Sequence, residues 1–418
     1  EDRASFWSAV WDYCGVVGDK GDVALADDGD MLKARFFPKA QINFAENLLA
    51  HAGDGDALIF RGENKVSDRW SWSRLTATVS RLQQALAAMG IGEGDRVAAM
   101  MPNMPETVAL MLAVTSLGAI WSSCSPDFGD QGVLDRFGQI EPKLFIACDG
   151  YWYNGKRQDV ADKIVNVAAK LDVPVLVVPY AGDTAALLAR LPDGRSFDQF
   201  ISDFSVRDIE YRRLPFSHPI YILFSSGTTG VPKCIVHGAG GTLLQHLKEH
   251  GLHADIARED CLFYYTTCGW MMWNWLVSVL AIGATAVLYD GSPFHPGPER
   301  LIDLIDAEKI SVFGTSPKFL ATLEKAGLQP RLSHDLSSLK GLISTGSPLS
   351  PQSYDYVYRE IKAQLCLSSM SGGTDIVSCF VIGNPVLPVR RGEMQCKSLA
   401  MAIEVWDDQG RPLIGEKG

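Results

Sequence analysis

From residue 72 onward, segments whose apolar residues have helical spacing alternate along the chain with short, continuous apolar runs. Helical spacing is clearest over 73–89, where the apolar side chains fall on one face and Gly90 ends the pattern. Short apolar runs such as 95–100 and 143–147 instead predict buried strands. The alternation predicts an α/β fold of parallel sheets with helices on both faces, in which ligands bind at the carboxyl ends of the strands.

The predicted elements fall into two successive series. The first series occupies residues 71–215 and the second occupies 216–388, so the sequence predicts two doubly wound α/β subdomains. The chain has 418 residues, which is longer than a single hydrophobic core usually supports. Length and pattern therefore agree on more than one subdomain.

The two ends of the chain have a different texture. Residues 1–70 open with aromatic side chains that show no strong periodicity, and they predict an extended N-terminal segment that wraps around the larger body. At the other end, residues 389–418 predict short alternating strands at 393–396 and 400–405. We interpret this region as the start of a small β-rich subdomain that is cut short at residue 418.

The longest apolar tract, residues 269–288, has the length of a membrane-spanning helix. Polar residues interrupt it, and Gly283 divides it into a helical half at 271–282 and a β-branched half at 284–289. We therefore predict a helix, a glycine cap and a buried strand, and no membrane contact.

Charge and cysteine content narrow the class of protein further. The net charge is −11 and no basic run occurs, so nucleic acid is not an expected partner. The chain opens without an apolar signal segment, and its nine cysteines contain no Cys-x-x-Cys pair. Reduced thiols in a cytoplasmic protein are the expectation.

Hydroxyl residues and two glycines lie between a predicted strand at 220–224 and Lys233. Glycines let the backbone approach a ligand, successive N–H groups form a concavity that binds anions, and hydroxyls and a terminal cation add donors. The segment predicts a polyphosphate-binding loop formed by Ser225, Ser226, Gly227, Thr228, Thr229, Gly230 and Lys233. The glycine spacing, and Cys234 after the lysine, exclude a Walker loop. An ordinary surface loop is the alternative, and the stiffening Pro232 argues against it.

This loop resembles the phosphate loop of the adenylate-forming enzymes, which include acyl-CoA synthetases, luciferases and the adenylation domains of peptide synthetases. It ends in the same Thr-Gly-x-Pro-Lys. The resemblance implies that the loop binds the β- and γ-phosphates of ATP. It also implies that Asp375, beside Thr374, binds Mg²⁺, although the family usually has a glutamate there. A helix N-cap is the alternative for this pair.

A second segment that follows a predicted strand, residues 344–348, matches the part of the family that packs against adenine. The resemblance implies this role for Gly346, Ser347 and Pro348. It also implies parts beyond Gly418, namely a ribose-binding aspartate, a hinge and the catalytic lysine of a C-terminal domain. The sequence does not predict an oligomeric state.

Four histidines carry a weaker signal. The resemblance implies that His237 lies near the site, with Thr374 and Asp375, while a purely structural role stays open. His246, His250 and His253 share one face of a helix predicted over 241–253 and could mimic a metal site. We predict an exposed helical face instead of a metal site.

Three tryptophans lie within residues 270–275, which by default indicates core packing. The segment also resembles the acyl-pocket segment of short-chain acyl-CoA synthetases, and with residues 11–14 and 40–48 it most resembles the group that activates acetoacetate. The resemblance implies acetoacetate, ATP and coenzyme A as substrates. It implies an acyl pocket formed by Trp270, Met271, Met272, Thr345 and Gly372.

Gly372 distinguishes this chain from the acetate-activating enzymes of the family, which carry a tryptophan at the matching position. The missing side chain implies a deeper pocket that admits the longer acid. Two alternatives stay open: activation of acetate or propionate on the same fold, and a non-catalytic module that only binds a nucleotide.

Overall fold

The computed structural model describes residues 2–225 and 230–415 and contains two seven-stranded sheets. In the first sheet the strands lie in the spatial order Gly194–Ser196, Val175–Val178, Leu144–Cys148, Arg96–Met100, Ile120–Cys124, Pro219–Ser225 and Lys233–Gly238. In the second sheet the order is Cys366–Ser369, Gly341–Ser344, Val312–Thr315, Cys261–Tyr264, Thr285–Asp290, Asp56–Gly62 and Val66–Ser71. All neighbours within each sheet are parallel except the last pair, which is antiparallel. The predicted α/β class with parallel sheets is confirmed.

The sheets do not follow the predicted limits at residues 70 and 215. Asp56–Gly62 and Val66–Ser71, predicted within the N-terminal segment, belong to the second sheet. Pro219–Ser225 and Lys233–Gly238, predicted in the second subdomain, belong to the first. Division by chain order is therefore wrong for the sheets, because strands distant in sequence can pair edge to edge, and periodicity carries no information about that pairing.

Helices separate and cover the sheets. The α-helices span Arg3–Tyr13, Phe44–Leu48, Trp72–Ala88, Pro105–Ser116, Asp130–Phe137, Ala161–Leu171, Thr184–Leu188, Phe197–Ile201, Ala239–Lys248, Met271–Ser278, Arg300–Glu308, Pro317–Lys325, Pro330–Ser333 and Pro351–Tyr356. Two of them continue as π-helix, over Glu249–His253 and Val357–Ile361, and 3₁₀ turns occupy Val279–Ile282 and Thr374–Ile376. The helix predicted at 73–89 is found one residue earlier, where Ser71 caps it by accepting a hydrogen bond from the Arg74 amide.

One hydrophobic cluster lies between the sheets and receives side chains from both, for example Val97 of the first and Leu288 of the second. Pro105–Ser116 is buried there along almost its whole length. Alternate residues of the strands point the other way, so that Phe145 and Phe263 belong to two separate outer clusters. Each sheet is thus covered on both faces, as parallel sheets require.

The N-terminal segment is not extended throughout, because Arg3–Tyr13 is a helix. Asp2 caps it at the Ser5 amide, and Trp7, Val10 and Trp11 form its buried face. These three residues have helical spacing, which a prediction based on the aromatic residues of the whole segment overlooked. The aromatic residues do anchor the segment, since Trp11 and Phe37 both pack against Phe216.

The apolar tract folds as predicted into a helix and a strand. Met271–Ser278 and the 3₁₀ turn end at Gly283, whose φ of +85° suits a glycine cap, and Thr285–Asp290 follows in the second sheet. Within the described residues, none of the helices combines the length and the apolarity that crossing a membrane requires.

Short strands complete the fold. A three-stranded sheet joins Gly18–Asp19, Gln41–Ile42 and Leu214–Pro215, and another joins Ser371–Gly373, Ser378–Ile382 and Cys396–Lys397. Two-stranded pairs are Leu25–Ala26 with Arg35–Phe36, Gly150–Tyr153 with Lys156–Asp159, and Val405–Trp406 with Pro412–Leu413. The strands predicted at 393–396 and 400–405 are therefore shorter and later than expected, since much of 385–404 runs as turns and loops.

Candidate functional site

The predicted phosphate loop connects the two antiparallel strands Pro219–Ser225 and Lys233–Gly238, which we call the loop hairpin. Ser225 and Lys233 face each other where the loop leaves the strands. Pro219–Ser225 pairs in parallel with Ile120–Cys124, so the loop emerges at the carboxyl edge of the first sheet. Ser226, Gly227, Thr228 and Thr229 lie outside the described residues.

The described ends of the loop have suitable chemistry for an anion. Gly230 has a φ of +142°, a backbone conformation that favours glycine, and a Cβ placed there would meet no described residue within 4 Å. Lys233 is exposed and forms no salt bridge with any described residue. Its ammonium group is therefore available to a ligand.

The predicted magnesium ligand lies on a 3₁₀ turn, Thr374–Ile376, which we call the aspartate turn. It links the strands Ser371–Gly373 and Ser378–Ile382. Gly373 occupies the N-cap position and no side chain caps the turn, so the N-cap alternative for Asp375 is wrong. Asp375 is exposed, and its carboxylate has no hydrogen bond or salt bridge to the described part of the chain. An unpaired, solvated carboxylate fits a hard cation such as Mg²⁺, which retains several of its waters.

His237 lies between the loop hairpin and the aspartate turn. The ring belongs to the hairpin, opposite Tyr221, and is buried. Burial lowers the pKa of His237, while the Thr374 carbonyl and the Asp375 charge act in the opposite direction. Its Nε2 is buried without a hydrogen-bond partner among the described residues. The structure thus brings three of the predicted residues, His237, Thr374 and Asp375, together.

A cavity of about 310 Å³ begins next to the aspartate turn. The three predicted adenine residues line it, and so do two residues predicted for the acyl pocket, Thr345 and Gly372. The Thr345 hydroxyl donates a hydrogen bond of 2.8 Å to the Met370 carbonyl, which ties together the ends of two adjacent strands. Gly346 has a φ of +96°, so that its backbone turns into the rim of the cavity in a conformation that disfavours other residues.

Gly372 is held tightly by its neighbours. A Cβ at this position would collide with the Ser378 carbonyl oxygen of the adjacent strand. Pocket depth is therefore not the only explanation for a glycine here. The strands Ser371–Gly373 and Ser378–Ile382 also approach too closely at this position to admit a side chain. The resemblance to acetoacetate-activating enzymes did not reveal this constraint, which depends on long-range pairing.

The remaining three acyl-pocket residues do not line this cavity. Trp270 is 67% exposed at the N-cap of Met271–Ser278, and Met271 and Met272 are half-buried there. The other tryptophans of the segment are core residues. Trp273 Nε1 donates a hydrogen bond of 3.0 Å to Asn103, and Trp275 Nε1 donates one of 3.0 Å to Glu249. Two of the three tryptophans are therefore core residues, as the default interpretation predicts. The third, Trp270, is exposed, and its role in an acyl pocket stays a prediction.

The two sheets meet at their carboxyl edges just before this segment. The Ser123 hydroxyl of the first sheet donates a hydrogen bond of 2.8 Å to the carbonyl of Cys268, which follows a strand of the second sheet. A Cβ placed on Gly269 would lie within ordinary van der Waals distance of Phe128, Ser125 and Cys124 of the first sheet and the loop that follows it. Trp270 is therefore placed at the junction of the two edges.

The prediction of an exposed histidine face is wrong. His246, His250 and His253 are all buried. Each donates one hydrogen bond to a backbone carbonyl, at Val377, Trp275 and Gly383 respectively, over 2.8–3.0 Å. The prediction failed because later parts of the chain cover this face: the helix Met271–Ser278 contacts His250, and residues 377–383 contact His246 and His253. Among the described residues no group of His, Cys, Asp and Glu side chains is arranged to hold a metal ion.

Sequence reasoning also missed residues of the cavity itself. Tyr354 lines it and donates a hydrogen bond of 2.7 Å to the carbonyl of Glu393, another lining residue. Burial raises the pKa of the Tyr354 phenol. The only available signal was the position of Tyr354 on the inner side of a helix predicted over 351–361, and that signal does not distinguish a pocket from a core.

The sequence profile of the AMP-binding enzyme family matches residues 44–418, and the chain belongs to that family. Among curated proteins it is similar to the acetoacetyl-coenzyme A synthetase of Rhizobium meliloti, at 63% identity over 417 residues, and to the acetoacetyl-CoA synthetase of Gallus gallus, at 44% over 428 residues. A malonamoyl-CoA synthetase of Penicillium aethiopicum is 39% identical over 447 residues. In each comparison the whole of this chain is covered, and 62–64% of the relative.

A solved structure gives the same result for the fold. The acetoacetyl-CoA synthetase from Streptomyces lividans superposes with a TM-score of 0.93 at 38% identity, over 99% of this chain and 64% of that chain. The present chain therefore spans slightly less than two thirds of the length of the relatives it matches.

Proposed function

We propose that this chain is the nucleotide- and acid-binding part of an AMP-forming acetoacetate–CoA ligase. In this reaction acetoacetate attacks the α-phosphorus of ATP to give acetoacetyl-AMP and pyrophosphate. Coenzyme A then attacks the mixed anhydride, which gives acetoacetyl-CoA and AMP. The observation that carries the proposal is the contact of the loop hairpin with the aspartate turn, beside the cavity that Gly346, Ser347 and Pro348 line.

In this proposal, successive parts of the site bind successive parts of ATP. The β- and γ-phosphates bind Ser225, Ser226, Gly227, Thr228, Thr229, Gly230 and Lys233. Adenine binds against the Gly346–Pro348 backbone, and Asp375 with Thr374 holds the magnesium ion. When bound, magnesium neutralises the charge that develops on the phosphate oxygens.

The chain needs no nucleophile of its own, because the carboxylate of the acid attacks phosphorus directly. Catalysis then rests on orientation and on charge stabilisation. We assign His237 a positioning role. Burial lowers its pKa and so favours the neutral ring. As a neutral donor it can hold the Thr374 carbonyl, and so fix the start of the aspartate turn.

The acid would bind near Gly372 and Thr345, with Trp270, Met271 and Met272 completing the pocket from the junction of the two sheets. The Penicillium relative supports a pocket for a 3-oxo acid. Malonamate, the acid that its name implies, differs from acetoacetate only by an NH2 group in place of the terminal methyl group, which makes the distal carbonyl an amide. Acetate or propionate activation stays the first alternative, and a non-catalytic nucleotide-binding module is the second.

Compartment and organisation belong to the same proposal. All nine cysteines are free thiols, which supports a reducing, cytoplasmic location. The division into 71–215, 216–388 and a β-rich part from 389 stays a prediction for independent folding units, even though the sheets exchange strands across those limits.

The test uses the full-length protein and measures pyrophosphate release in the presence of acetate, propionate, butyrate, acetoacetate, 3-hydroxybutyrate and malonamate. We expect the highest kcat/KM with acetoacetate, at least tenfold above 3-hydroxybutyrate, because a site built for a carbonyl oxygen discriminates by one hydrogen bond. A preference for acetate or propionate would support the first alternative. ATP binding without release of pyrophosphate for any acid would support the second.

A further inference from the structure

Behind the aspartate turn lies a group of buried polar residues that the proposed reaction does not use. They belong to one continuous helical segment, which is α-helical over Ala239–Lys248 and π-helical over Glu249–His253. Lys248, Glu249, His246 and His250 are completely buried. Burying charged groups is costly unless they are paired, so their hydrogen bonds indicate what the segment supports.

The hydrogen bonds of two of them, His246 and Glu249, converge on the three residues that follow the aspartate turn, whereas Lys248 and His250 bond elsewhere. His246 donates from Nε2 to the Val377 carbonyl over 3.0 Å. The Glu249 carboxylate accepts from the Cys379 amide over 2.9 Å and from the Ser378 hydroxyl. Its other oxygen accepts from Trp275 Nε1, which fixes the carboxylate from behind.

Val377 is the residue that most needs this support. Its φ of +49° lies in the left-handed region, which is unfavourable for a β-branched side chain. Such a conformation persists only where the surrounding structure determines it, and it is characteristic of functional sites. A π-helical turn within a longer helix is likewise frequent at functional sites. Here both features occur on the two sides of the same contact.

We propose that His246 and Glu249 are positioning residues, which hold the Val377–Cys379 backbone in its left-handed turn and thereby aim the Asp375 carboxylate at the magnesium site. The magnesium role of Asp375 rests on the proposed function. The support of the turn by the buried helix does not, because it is a property of the unliganded chain.

Two histidines on the same helical segment offer a matched pair of variants. His246→Leu removes the hydrogen bond to the turn. His250→Leu removes an equally buried bond, from Nε2 to the Trp275 carbonyl over 2.9 Å, that does not touch the turn. His246→Gln, which retains a donor near the Nε2 position, serves as the conservative rescue.

The first measurement is amide hydrogen exchange of residues 377–379 in the full-length protein without nucleotide. We expect His246→Leu to accelerate this exchange about tenfold relative to His250→Leu, since one buried hydrogen bond is lost at the turn. His246→Gln should restore most of the protection. Equal exchange in the two leucine variants overturns the proposal, whatever reaction the protein catalyses.

The second measurement is the magnesium concentration that half-saturates adenylation at fixed ATP and acid. His246→Leu should raise it about tenfold and leave the KM for the acid within twofold, whereas His250→Leu should change neither. If the wild type adenylates no acid, magnesium-dependent binding of a fluorescent ATP analogue replaces activity as the readout. If the half-saturating magnesium concentration of His246→Leu equals that of the wild type, the proposal that His246 helps to aim Asp375 at the magnesium site is overturned.

A milder set of variants covers the case in which the leucine substitutions do not fold. Ser378→Ala removes one donor to Glu249 and should raise the half-saturating magnesium concentration about threefold. Trp275→Phe removes the donor on the far side of the same carboxylate and leaves both bonds to the turn. No difference between these two variants would contradict the role assigned to Glu249.

Discussion

The two sheets contribute different kinds of surface to the site at their carboxyl edges. The first sheet contributes a loop between two strands, with Lys233 exposed and unpaired among the described residues. At the carboxyl edge of the second, the chain runs on from the strand Cys366–Ser369 into the separate three-stranded sheet that carries the aspartate turn beside the cavity. There Gly372 packs against the Ser378 backbone, and buried side chains hydrogen-bond the backbone that follows. The first edge thus presents a cation at the end of a loop, whereas the second presents a carboxylate on a turn whose adjoining backbone is held by buried hydrogen bonds.

This difference teaches where precision is needed. A phosphate chain can be bound by many N–H groups and a flexible cation, so the first edge tolerates adjustment. A magnesium ion has strict octahedral geometry, and an adenine ring needs a fixed wall. Mutations at the first edge should therefore affect ATP binding alone, whereas mutations at the second should affect either magnesium chemistry or folding.

The largest effect is expected for Asp375→Asn. In the proposed function Asp375 is one of the few protein ligands of the ion, so loss of its charge should reduce acid-dependent pyrophosphate release about 100-fold. The free energy of unfolding should change by less than about 0.5 kcal/mol, since the carboxylate is exposed and has no described partner.

The check is activity over a magnesium titration together with chemical denaturation. Asp306→Asn is the control, because Asp306 is a surface carboxylate whose partners among the described residues are the Lys309 ammonium and the Asp335 amide. Full activity of Asp375→Asn at all magnesium concentrations would show that the aspartate turn does not hold the ion.

The rigidity of the second edge can be tested with two glycines of the same cavity. Gly372→Ala should cost about 2–3 kcal/mol of unfolding free energy, because its Cβ meets the Ser378 backbone and cannot be accommodated by a rotamer change. Gly346→Ala should cost only about 1 kcal/mol, since space is open and just the φ of +96° opposes it.

Denaturation curves of both variants measure these losses of unfolding free energy. Equal losses would mean that the backbone around Gly372 adjusts to an added side chain as easily as a loop does. The result also bears on substrate choice. If Gly372→Ala is strongly destabilised, Gly372→Trp changes the backbone as well as the depth of the pocket, and it cannot serve as a clean exchange of acid specificity.

These two regions also differ in how well the sequence predicts them. The two strands that flank the predicted phosphate loop were predictable because their signal is local, an apolar run on either side of hydroxyls, glycines and a lysine, whereas the phosphate-binding role stays a prediction. The helix–glycine–strand order around Gly283 was predictable for the same reason. The sheet membership of 56–71 and 219–238 was not, because strand pairing is a long-range property. The burial of His246 and the clamp on Gly372 were missed equally, since each depends on strands far away in sequence.

At the first edge, Lys233→Met should raise the KM for ATP about tenfold, the loss of one charge-assisted contact to phosphate. The unfolding free energy should stay within about 0.5 kcal/mol of the wild type, because the side chain is exposed and has no described salt bridge. Steady-state kinetics at varied ATP, with the magnesium concentration fixed in excess, measure this. If Lys233→Met changed the half-saturating magnesium concentration and left the KM for ATP unchanged, the two edges would not differ in the way proposed, with ATP binding at the first and magnesium chemistry at the second.

The smallest expected effect concerns pH and the support of the second edge. Burial lowers the pKa of His246 to about 3, with the Val377 carbonyl acting in the opposite direction. In the unfolded chain a histidine titrates near 6.5. Below that pH the unfolded chain takes up a proton that the folded chain does not, so stability is lost as pH falls from about 6.5 toward 3.

His246→Gln removes this proton uptake and should flatten the acid limb of the stability curve. At pH 5.5, relative to pH 7.5, the wild type should lose about 1 kcal/mol more unfolding free energy than the variant. Denaturation at both pH values measures the difference. His250→Gln should flatten the curve in the same way, because burial also lowers the pKa of His250. Hydrogen exchange at 377–379 at neutral pH, in contrast, should stay close to the wild type in both glutamine variants and accelerate only in His246→Leu. Parallel pH dependence in His246→Gln and the wild type would mean that this ring is not buried in its neutral form, and the second edge would lose one of its two supports.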